Sequence, residues 1–195
     1  MDRPFRIALA LIMATFVAHR GYYSRTQPPV QEETVEEHTG GLLSALASIF
    51  AVVGMIALLL YSLAPRRVAW ASLRFPGWLR WSGLGVAAGG FALLQWAHAA
   101  LAANWSDTPR ITEQQQLVTA GPYRRVRHPI YTAFLLILSA PLLIASNWLV
   151  GLPWLVMTAL EVSDRIRFEE ARLEARFGDE YRGWAQQTGA LLPRL

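Results

Sequence analysis

The stretch HPIYTAFLLILSAPLLIASNWLVGLPWLVMTAL, residues 128–160, contains 33 residues without Asp, Glu, Lys or Arg. It is too long for one ordinary membrane span of ~20 residues and too short for two complete ones. Two prolines and Gly151 interrupt it, which argues against one straight helix of about 50 Å. We therefore expect a tight helical hairpin that turns near Ser146 and Asn147, with a second helix that continues past Glu161.

Three apolar segments precede this hairpin. Between Glu37 and Arg66 lie 28 residues without acidic or basic side chains, and between Arg80 and Asp107 lie 26. Both exceed the ~20 residues that a spanning helix needs. The segment between Arg6 and Arg20 has only 13 such residues. It fits a span if both arginines reach outwards to the membrane surface, or the core of a signal peptide, although no small-residue cleavage site follows.

These segments predict an all-α integral membrane protein with about five transmembrane helices and a cytoplasmic helical segment at the C-terminus. The small residues of the third segment are expected to allow close helix contact; they are Gly85, Ala88, Gly89 and Gly90. With five spans, 12 arginines lie on the side of the C-terminus and 6 on the other. Arginine is enriched in cytoplasmic loops, so this bias places the C-terminus in the cytoplasm.

The composition excludes several classes of function. The chain has no cysteine, so neither disulfides nor a thiolate zinc site is expected, and we predict no bound metal. Its net charge of +4 is spread over loops and helix ends without the basic run that nucleic-acid binding favours. Basic residues beside apolar segments instead indicate membrane lipids as partners. The oligomeric state is left open.

Two charged clusters flank the hairpin. The first is LVTAGPYRRVRHPIY, residues 117–131, in which Pro129 disfavours helix at His128 and starts the next helix. His128 is therefore expected at the mouth of that helix, beside unpaired N–H groups. Neighbouring arginines make this mouth cationic and suited to a carboxylate or phosphate. Arginines that only anchor the helix at lipid headgroups are the alternative.

The second cluster is DRIRFEEARLEARFGDEY, residues 164–181. On a helix, Arg165 and Glu169 share one face, whereas Glu170 lies off it. A tight hairpin brings this helix end beside the start of the preceding helix, so both residues would face His128 and Tyr131. Anion-binding groups, a carboxylate and aromatic rings would then converge, as in a small-molecule site.

Together these residues resemble the isoprenylcysteine carboxyl methyltransferase family. The resemblance rests on GPYRRVRHPIY, a hairpin, the pattern R-x-x-x-E-E-x-x-L-x-x-x-F-G-x-E-Y and a T-G-x-L-x-P tail, and it covers about residues 104–195. It implies a membrane methyltransferase that uses S-adenosylmethionine and is related to phospholipid methyltransferases. It also implies a single domain, 1–195, in which three N-terminal helices (1–103) precede the catalytic loop, hairpin and cofactor-binding segment (104–195).

The resemblance also implies site residues. Cofactor contacts fall on Gln115, Gln116, Leu117, Val118, Tyr123, His128, Pro129, Ile130, Tyr131 and Glu169. A substrate carboxylate is expected at Arg165, whose planar fork matches it. The acceptor is expected to be lipophilic, a small molecule or a prenylated protein. Arg167 and Phe168 stand where the eukaryotic enzymes tend to have a longer acidic run, so the chain resembles the short microbial members and its acceptor is open.

Three alternatives remain. A phospholipid or other lipid N-methyltransferase ranks lower, because Arg165 would repel a protonated amine. A sterol-type reductase carries a similar R-H-P-x-Y turn and binds NADPH, whose phosphates would meet the arginines near His128. A membrane scaffold without enzymatic activity would bind neither cofactor.

Overall fold

A computed structural model of the protein describes residues 2–25, 41–101 and 117–194. Helices make up most of these ranges, which confirms the predicted all-α fold. The α-helices in them are α1 (Arg3–Arg25), α2 (Leu42–Leu63), α3 (Gly77–Leu101), α4 (Pro129–Ala145), α5 (Trp148–Phe177) and α6 (Asp179–Gln187). Two short 3-10 helices cover Pro65–Ala71 and Gly121–Arg124.

The first five α-helices pack as an up-and-down bundle. Helix α3 packs chiefly on α4 and helix α2 on α5, and the α4–α5 pair joins the two halves. Gly83 near the start of α3 meets Ile144 near the end of α4, and Gly90 meets Ile137, so these helices are antiparallel. The core between the helices is aliphatic, and its fully buried members include Leu9, Leu94, Ile137, Ile144 and Val150.

Helices α2 and α3 are long and apolar enough to cross a membrane. Only 22% of the most apolar window of α2 and 28% of that of α3 are buried inside the protein, whereas the core helix of a soluble protein is mostly buried. Their outward apolar faces are therefore suited to lipid. Helix α4 is apolar but shorter, and α1, with 23 residues, is about 35 Å long. The predicted count of five spans stays a prediction.

The predicted hairpin turn is confirmed at the predicted residues. Ser146 ends α4 in the left-handed conformation, with φ of 50°. Asn147 caps α5, because its side-chain oxygen accepts a hydrogen bond from the Val150 amide at 3.2 Å. The Asn147 amide group also donates to the Val68 carbonyl at 2.7 Å, which ties the turn to the 3-10 helix before α3. The turn is thus set by its own residues and buttressed from one side.

The glycines that allow close packing differ from those expected. Gly90 does meet α4, but a Cβ atom added at Gly85 or Gly89 would have no atom of another element within 4 Å, and Ala88 is exposed. Gly83, which the sequence analysis did not select, lies against α4 instead. The prediction was wrong because small residues occur all around α3, so composition does not identify the face that meets a partner helix.

The end of the bundle opposite His128 is held by Arg80. Its guanidinium donates to the Ile144 carbonyl at 2.9 Å, the Tyr61 hydroxyl at 3.1 Å and the Asp2 carboxylate at 2.6 Å, and lies 3.7 Å from the centre of the Phe5 ring. One side chain thereby joins the ends of four helices. It also satisfies a carbonyl in the last turn of α4, which has no partner within its own helix.

Gly151 gives the first testable prediction, because a Cβ atom there would lie 2.2 Å from the Cα of Leu142. Gly151→Ala must push α4 and α5 apart, and we expect it to cost ~3 kcal/mol, the upper end for overpacking. Thermal unfolding in detergent, followed by circular dichroism, measures the loss. Gly85→Ala is the control and should leave the melting temperature unchanged or raise it, since the site is open and alanine favours helix. Equal melting temperatures for Gly151→Ala and the unsubstituted protein would contradict the close approach.

Candidate active site

His128 lies at the mouth of α4, as predicted. It is the N-cap residue, with φ of −124°, and Pro129 occupies the first helical position. The imidazole is buried, with 5% of the residue exposed. The Tyr131 ring, one turn further on, stacks on it with centroids 5.6 Å apart. The proline therefore ends the preceding loop at a fixed place and holds His128 against the helix start.

The hairpin brings the Glu169–Glu170 pair of α5 to this histidine. Nδ1 of His128 lies 3.5 Å from a Glu169 oxygen, and Nε2 lies 3.2 Å from Oε1 of Glu170. The Tyr131 hydroxyl donates a hydrogen bond to the other oxygen of Glu169. The expected meeting of Glu169 with His128 and Tyr131 is thus confirmed, and Glu170, which was placed off this face, belongs to the same cluster.

Arg165 lies one turn before Glu169 on the same face of α5. Burial disfavours its charge, but the contacts with the Tyr131 hydroxyl and the Glu169 carboxylate outweigh burial and raise the pKa of Arg165. As a whole residue, Arg165 is exposed. The four predicted residues therefore meet at one place, while the roles given to them stay predictions.

The sequence predicted that cationic side chains at the start of α4 are open to an anion. For His128 and Arg127 this prediction is wrong. Both ring nitrogens of His128 already face carboxylates. Arg127 donates to Glu170 at 2.8 Å and to the carbonyls of Ala185 at 3.0 Å and Thr188 at 2.5 Å. The expectation failed because it counted only the charges nearby in sequence, whereas carboxylates of α5 and carbonyls at the end of α6 and just after it accept hydrogen bonds from these donors.

The carboxylates change the protonation of the histidine. Burial alone would lower the pKa of His128, but hydrogen bonds to Glu169 and Glu170 outweigh it and raise that pKa above its ordinary value of 6.5. The His128 hydrogen bond, followed by the Arg127 contact, lowers the pKa of Glu170 to about 2 against the cost of burial. The two carboxylates thus favour the protonated form of the imidazole that lies between them.

The segment after α6 completes this cluster. The backbone of Val126 pairs in parallel with that of Gly189. Three backbone hydrogen bonds join the two segments. Arg127 N–H donates to the Gly189 carbonyl at 2.8 Å, His128 N–H to the Ala190 carbonyl at 3.0 Å and Gly189 N–H to the Arg125 carbonyl at 3.2 Å. The sequence analysis assigned no role to the T-G-x-L-x-P motif, residues 188–193, which we call the tail. In the structure the tail holds the loop before α4 by these hydrogen bonds, and we call this contact the tail clamp.

The other predicted cofactor residues that the structure describes differ in exposure. Tyr123 is buried, and burial followed by the charge of Glu169 raises the pKa of its hydroxyl. Pro129 is buried, whereas Leu117, Val118 and Ile130 are half-buried. Gln115 and Gln116 lie outside the described residues. Two tyrosines, Tyr123 and Tyr131, therefore lie near the Glu169 carboxylate.

Such an arrangement can bind a positively charged group and a negatively charged group next to each other. Tyrosine rings and the Glu169 carboxylate favour a cation. The exposed guanidinium of Arg165 favours a carboxylate in bidentate geometry. A positively charged cofactor and an acidic acceptor could therefore be held side by side, which is the requirement of a group transfer between them.

Comparisons with known proteins indicate one family of methyltransferases. The profile of the isoprenylcysteine carboxyl methyltransferase (ICMT) family matches residues 83–175. A probable protein-S-isoprenylcysteine O-methyltransferase of Oryza sativa subsp. indica is 35% identical over 81 residues, 42% of each chain. Protein-S-isoprenylcysteine O-methyltransferase B of Arabidopsis thaliana is 31% identical over 84 residues, 43% of each chain. These matches span less than half the length of the plant proteins.

The fold is similar to that of a solved membrane enzyme. The structure of the eukaryotic intramembrane Ras methyltransferase ICMT superposes with a TM-score of 0.67 at 24% sequence identity, over 93% of this chain and 63% of that one. The fold and the apolar helices α2 and α3 support a helical membrane protein over the described residues. Over residues 83–175, the chain is similar to the isoprenylcysteine carboxyl methyltransferase family.

Proposed function

We propose that the protein is an integral-membrane methyltransferase that transfers a methyl group from S-adenosylmethionine to a carboxylate of a lipophilic acceptor. The observation that carries the proposal is the meeting of Arg165 and Glu169 with His128 and Tyr131, inside the region that the family profile matches. The plant relatives are named for methylation of isoprenylcysteine. A prenylated cysteine carboxylate is accordingly the first acceptor to test.

The residues present fit S-adenosylmethionine. When bound, this molecule supplies a methyl group on a sulfonium cation. Glu169 and the faces of Tyr123 and Tyr131 suit that positive charge. Residues 115–118 and 128–131 would line the remainder of the pocket. Both ring nitrogens of His128 already contact glutamate carboxylates. We therefore assign His128 a structural role in the pocket and not the removal of a proton.

Arg165 would hold the acceptor. Arg165 is an exposed residue whose guanidinium interacts with Glu169, so we infer that an acidic group reaches it from outside the helical bundle. A carboxylate is already a nucleophile at neutral pH, and no general base is needed. Catalysis would come mainly from aligning the carboxylate with the methyl group and from excluding water. The outward apolar faces of α2 and α3 would keep the lipid part of the acceptor in the membrane.

The site would face the cytoplasm. In the structure, α1, α3 and α5 all end on the side of His128, which is the side that carries the excess of arginine in the sequence. Within the single membrane domain, we propose that the helices of residues 1–103 mainly provide the membrane frame. Residues 104–195 would provide the cofactor and acceptor contacts.

Two measurements test the function. The purified protein should bind S-adenosylhomocysteine in calorimetry and should not bind NADPH, because the described arginine nearest His128 is already paired with Glu170. Labelled S-adenosylmethionine incubated with a prenylated cysteine analogue and the protein should give a product whose label is released by mild base, as expected for a methyl ester. A base-stable label would indicate N-methylation instead. Binding of NADPH alone would overturn the proposal.

A further inference from the structure

One oxygen atom of Glu170 is shared by two cations. Its Oε1 accepts a hydrogen bond from Nε of Arg127 at 2.8 Å and lies 3.2 Å from Nε2 of His128. The Glu170 side chain is 29% exposed, while that of His128 is 4% exposed and that of Arg127 15%. The carboxylate therefore lies at the outer rim of a largely buried cluster, on the side away from Glu169.

The second cation extends this contact to the clamp. Arg127 donates to the carbonyls of Ala185 and Thr188, at the end of α6 and just after it, and its own backbone N–H pairs with Gly189. A single carboxylate oxygen thus connects α5, the loop before α4 and the tail. These three segments are separate in sequence and meet where the cofactor pocket is proposed.

We propose that Glu170 is a positioning residue of the site: through His128 it fixes the imidazole plane for Glu169, and through Arg127 it holds the tail clamp. The cofactor identity in this inference rests on the proposed function. Adjacent residues of a helix point about 100° apart, so Glu169 and Glu170 reach opposite nitrogens of the ring. Neither carboxylate can replace the other.

Loss of the Glu170 charge has a defined effect on the ring. His128 would keep one carboxylate partner, while burial continues to disfavour its charge. The imidazole would then turn neutral at lower pH and lose the fixed orientation that the two opposing contacts give it. Glu169 would keep its contacts with Tyr131 and Arg165. The described charged or titratable groups around His128 include Glu169, Glu170 and Arg165 on α5, Tyr131 on α4, Arg127 in the loop and Tyr181 on α6.

The pH dependence has a definite sign. The pKa of His128 is raised in the folded protein, so its stabilising contribution is complete below the unfolded value of 6.5 and is lost as the pH rises through the folded value. The pKa of Glu170 is lowered to about 2, so its contribution is complete above 4.5 and is lost as the pH falls towards 2. The cluster should be strongest between pH 4.5 and 6.5.

The test combines the titration of His128 with cofactor affinity. In Glu170→Gln, we expect the pKa of His128, followed by NMR of ¹⁵N-labelled histidine and assigned with His128→Asn, to fall by about 1. We expect the affinity for S-adenosylhomocysteine at pH 7 to fall about tenfold or more, because a hydrogen bond to a charged group is lost. Glu174→Gln is the matched control, since Glu174 lies one turn further on and is paired with exposed Arg182. It should change neither quantity.

The outcomes separate the two proposals. A purely structural ion pair could lower the melting temperature without moving the His128 titration or the affinity, and that result would overturn the positioning role. If the unsubstituted protein does not bind S-adenosylhomocysteine, the proposed function fails and the titration alone decides the role of Glu170. Should Glu170→Gln not fold, Arg127→Gln is the second variant. It should weaken cofactor binding through the tail while the pKa of His128 stays raised, and unchanged affinity would overturn the clamp.

Discussion

Replacement of Arg165 by alanine is expected to reduce methyl transfer about 100-fold or more, because removal of one partner of a desolvated charge pair costs several kcal/mol in the bound state. The affinity for S-adenosylhomocysteine should stay within about threefold of the unsubstituted protein, since Glu169 keeps its contacts with Tyr131 and His128. Turnover with a prenylated cysteine analogue and calorimetry in the same detergent measure the two quantities.

Two further variants define the role of Arg165. Arg165→Lys keeps the charge but loses the planar fork, so it should recover only part of the activity. Arg167→Ala removes an exposed arginine of the same helix and should have full activity. If Arg165→Ala loses cofactor binding to the same degree as turnover, the residue belongs to the cofactor pocket and our assignment to the acceptor is wrong.

Glu169→Ala is expected to have the largest effect on cofactor binding. The change removes the carboxylate that faces both Tyr131 and His128, and with it the negative charge that would balance a sulfonium. We expect the affinity for S-adenosylmethionine to fall about 100-fold, in line with loss of a charged contact in a partly buried site. The affinity for S-adenosylhomocysteine, which lacks the positive sulfur, should fall less.

That difference between the two ligands is the decisive measurement. Glu169→Gln keeps an acceptor oxygen for Tyr131 and should preserve the binding of S-adenosylhomocysteine better than that of S-adenosylmethionine. Glu174→Ala, on the exposed side of the same helix, is the control. Equal losses for both ligands in Glu169→Gln would show that the carboxylate shapes the pocket without responding to the charge on sulfur.

Local signals in the sequence predicted the parts of the fold that depend on local chemistry. Pro129 placed His128 before α4, and the apolar run was too long for one span, so a turn at Ser146 and Asn147 followed. The juxtaposition of Arg165 and Glu169 with His128 then needed only the antiparallel geometry of a hairpin. Each of these steps uses a rule that acts over a few residues.

The parts that the sequence did not predict depend on distant partners. Glu170 was set aside because a helical wheel distinguishes the faces of one helix but cannot show that both faces border the same imidazole ring. The donors of Arg127 were counted as open because the carbonyls that they meet lie about 60 residues later. The glycines of α3 were misassigned for the same reason, since only the position of α4 selects Gly83 and Gly90.

The parallel pairing of residues 125–128 with the tail has a consequence for partial unfolding. The loop between α4 and α5 has only two residues, whereas the tail pairs with a segment about 60 residues earlier, is held mainly by hydrogen bonds and has exposed last described residues. Segments with so few buried contacts open at a lower free energy than a packed core. Amide exchange should therefore release the tail before the hairpin, and the protein would pass through a state that keeps its helices but has lost its binding site.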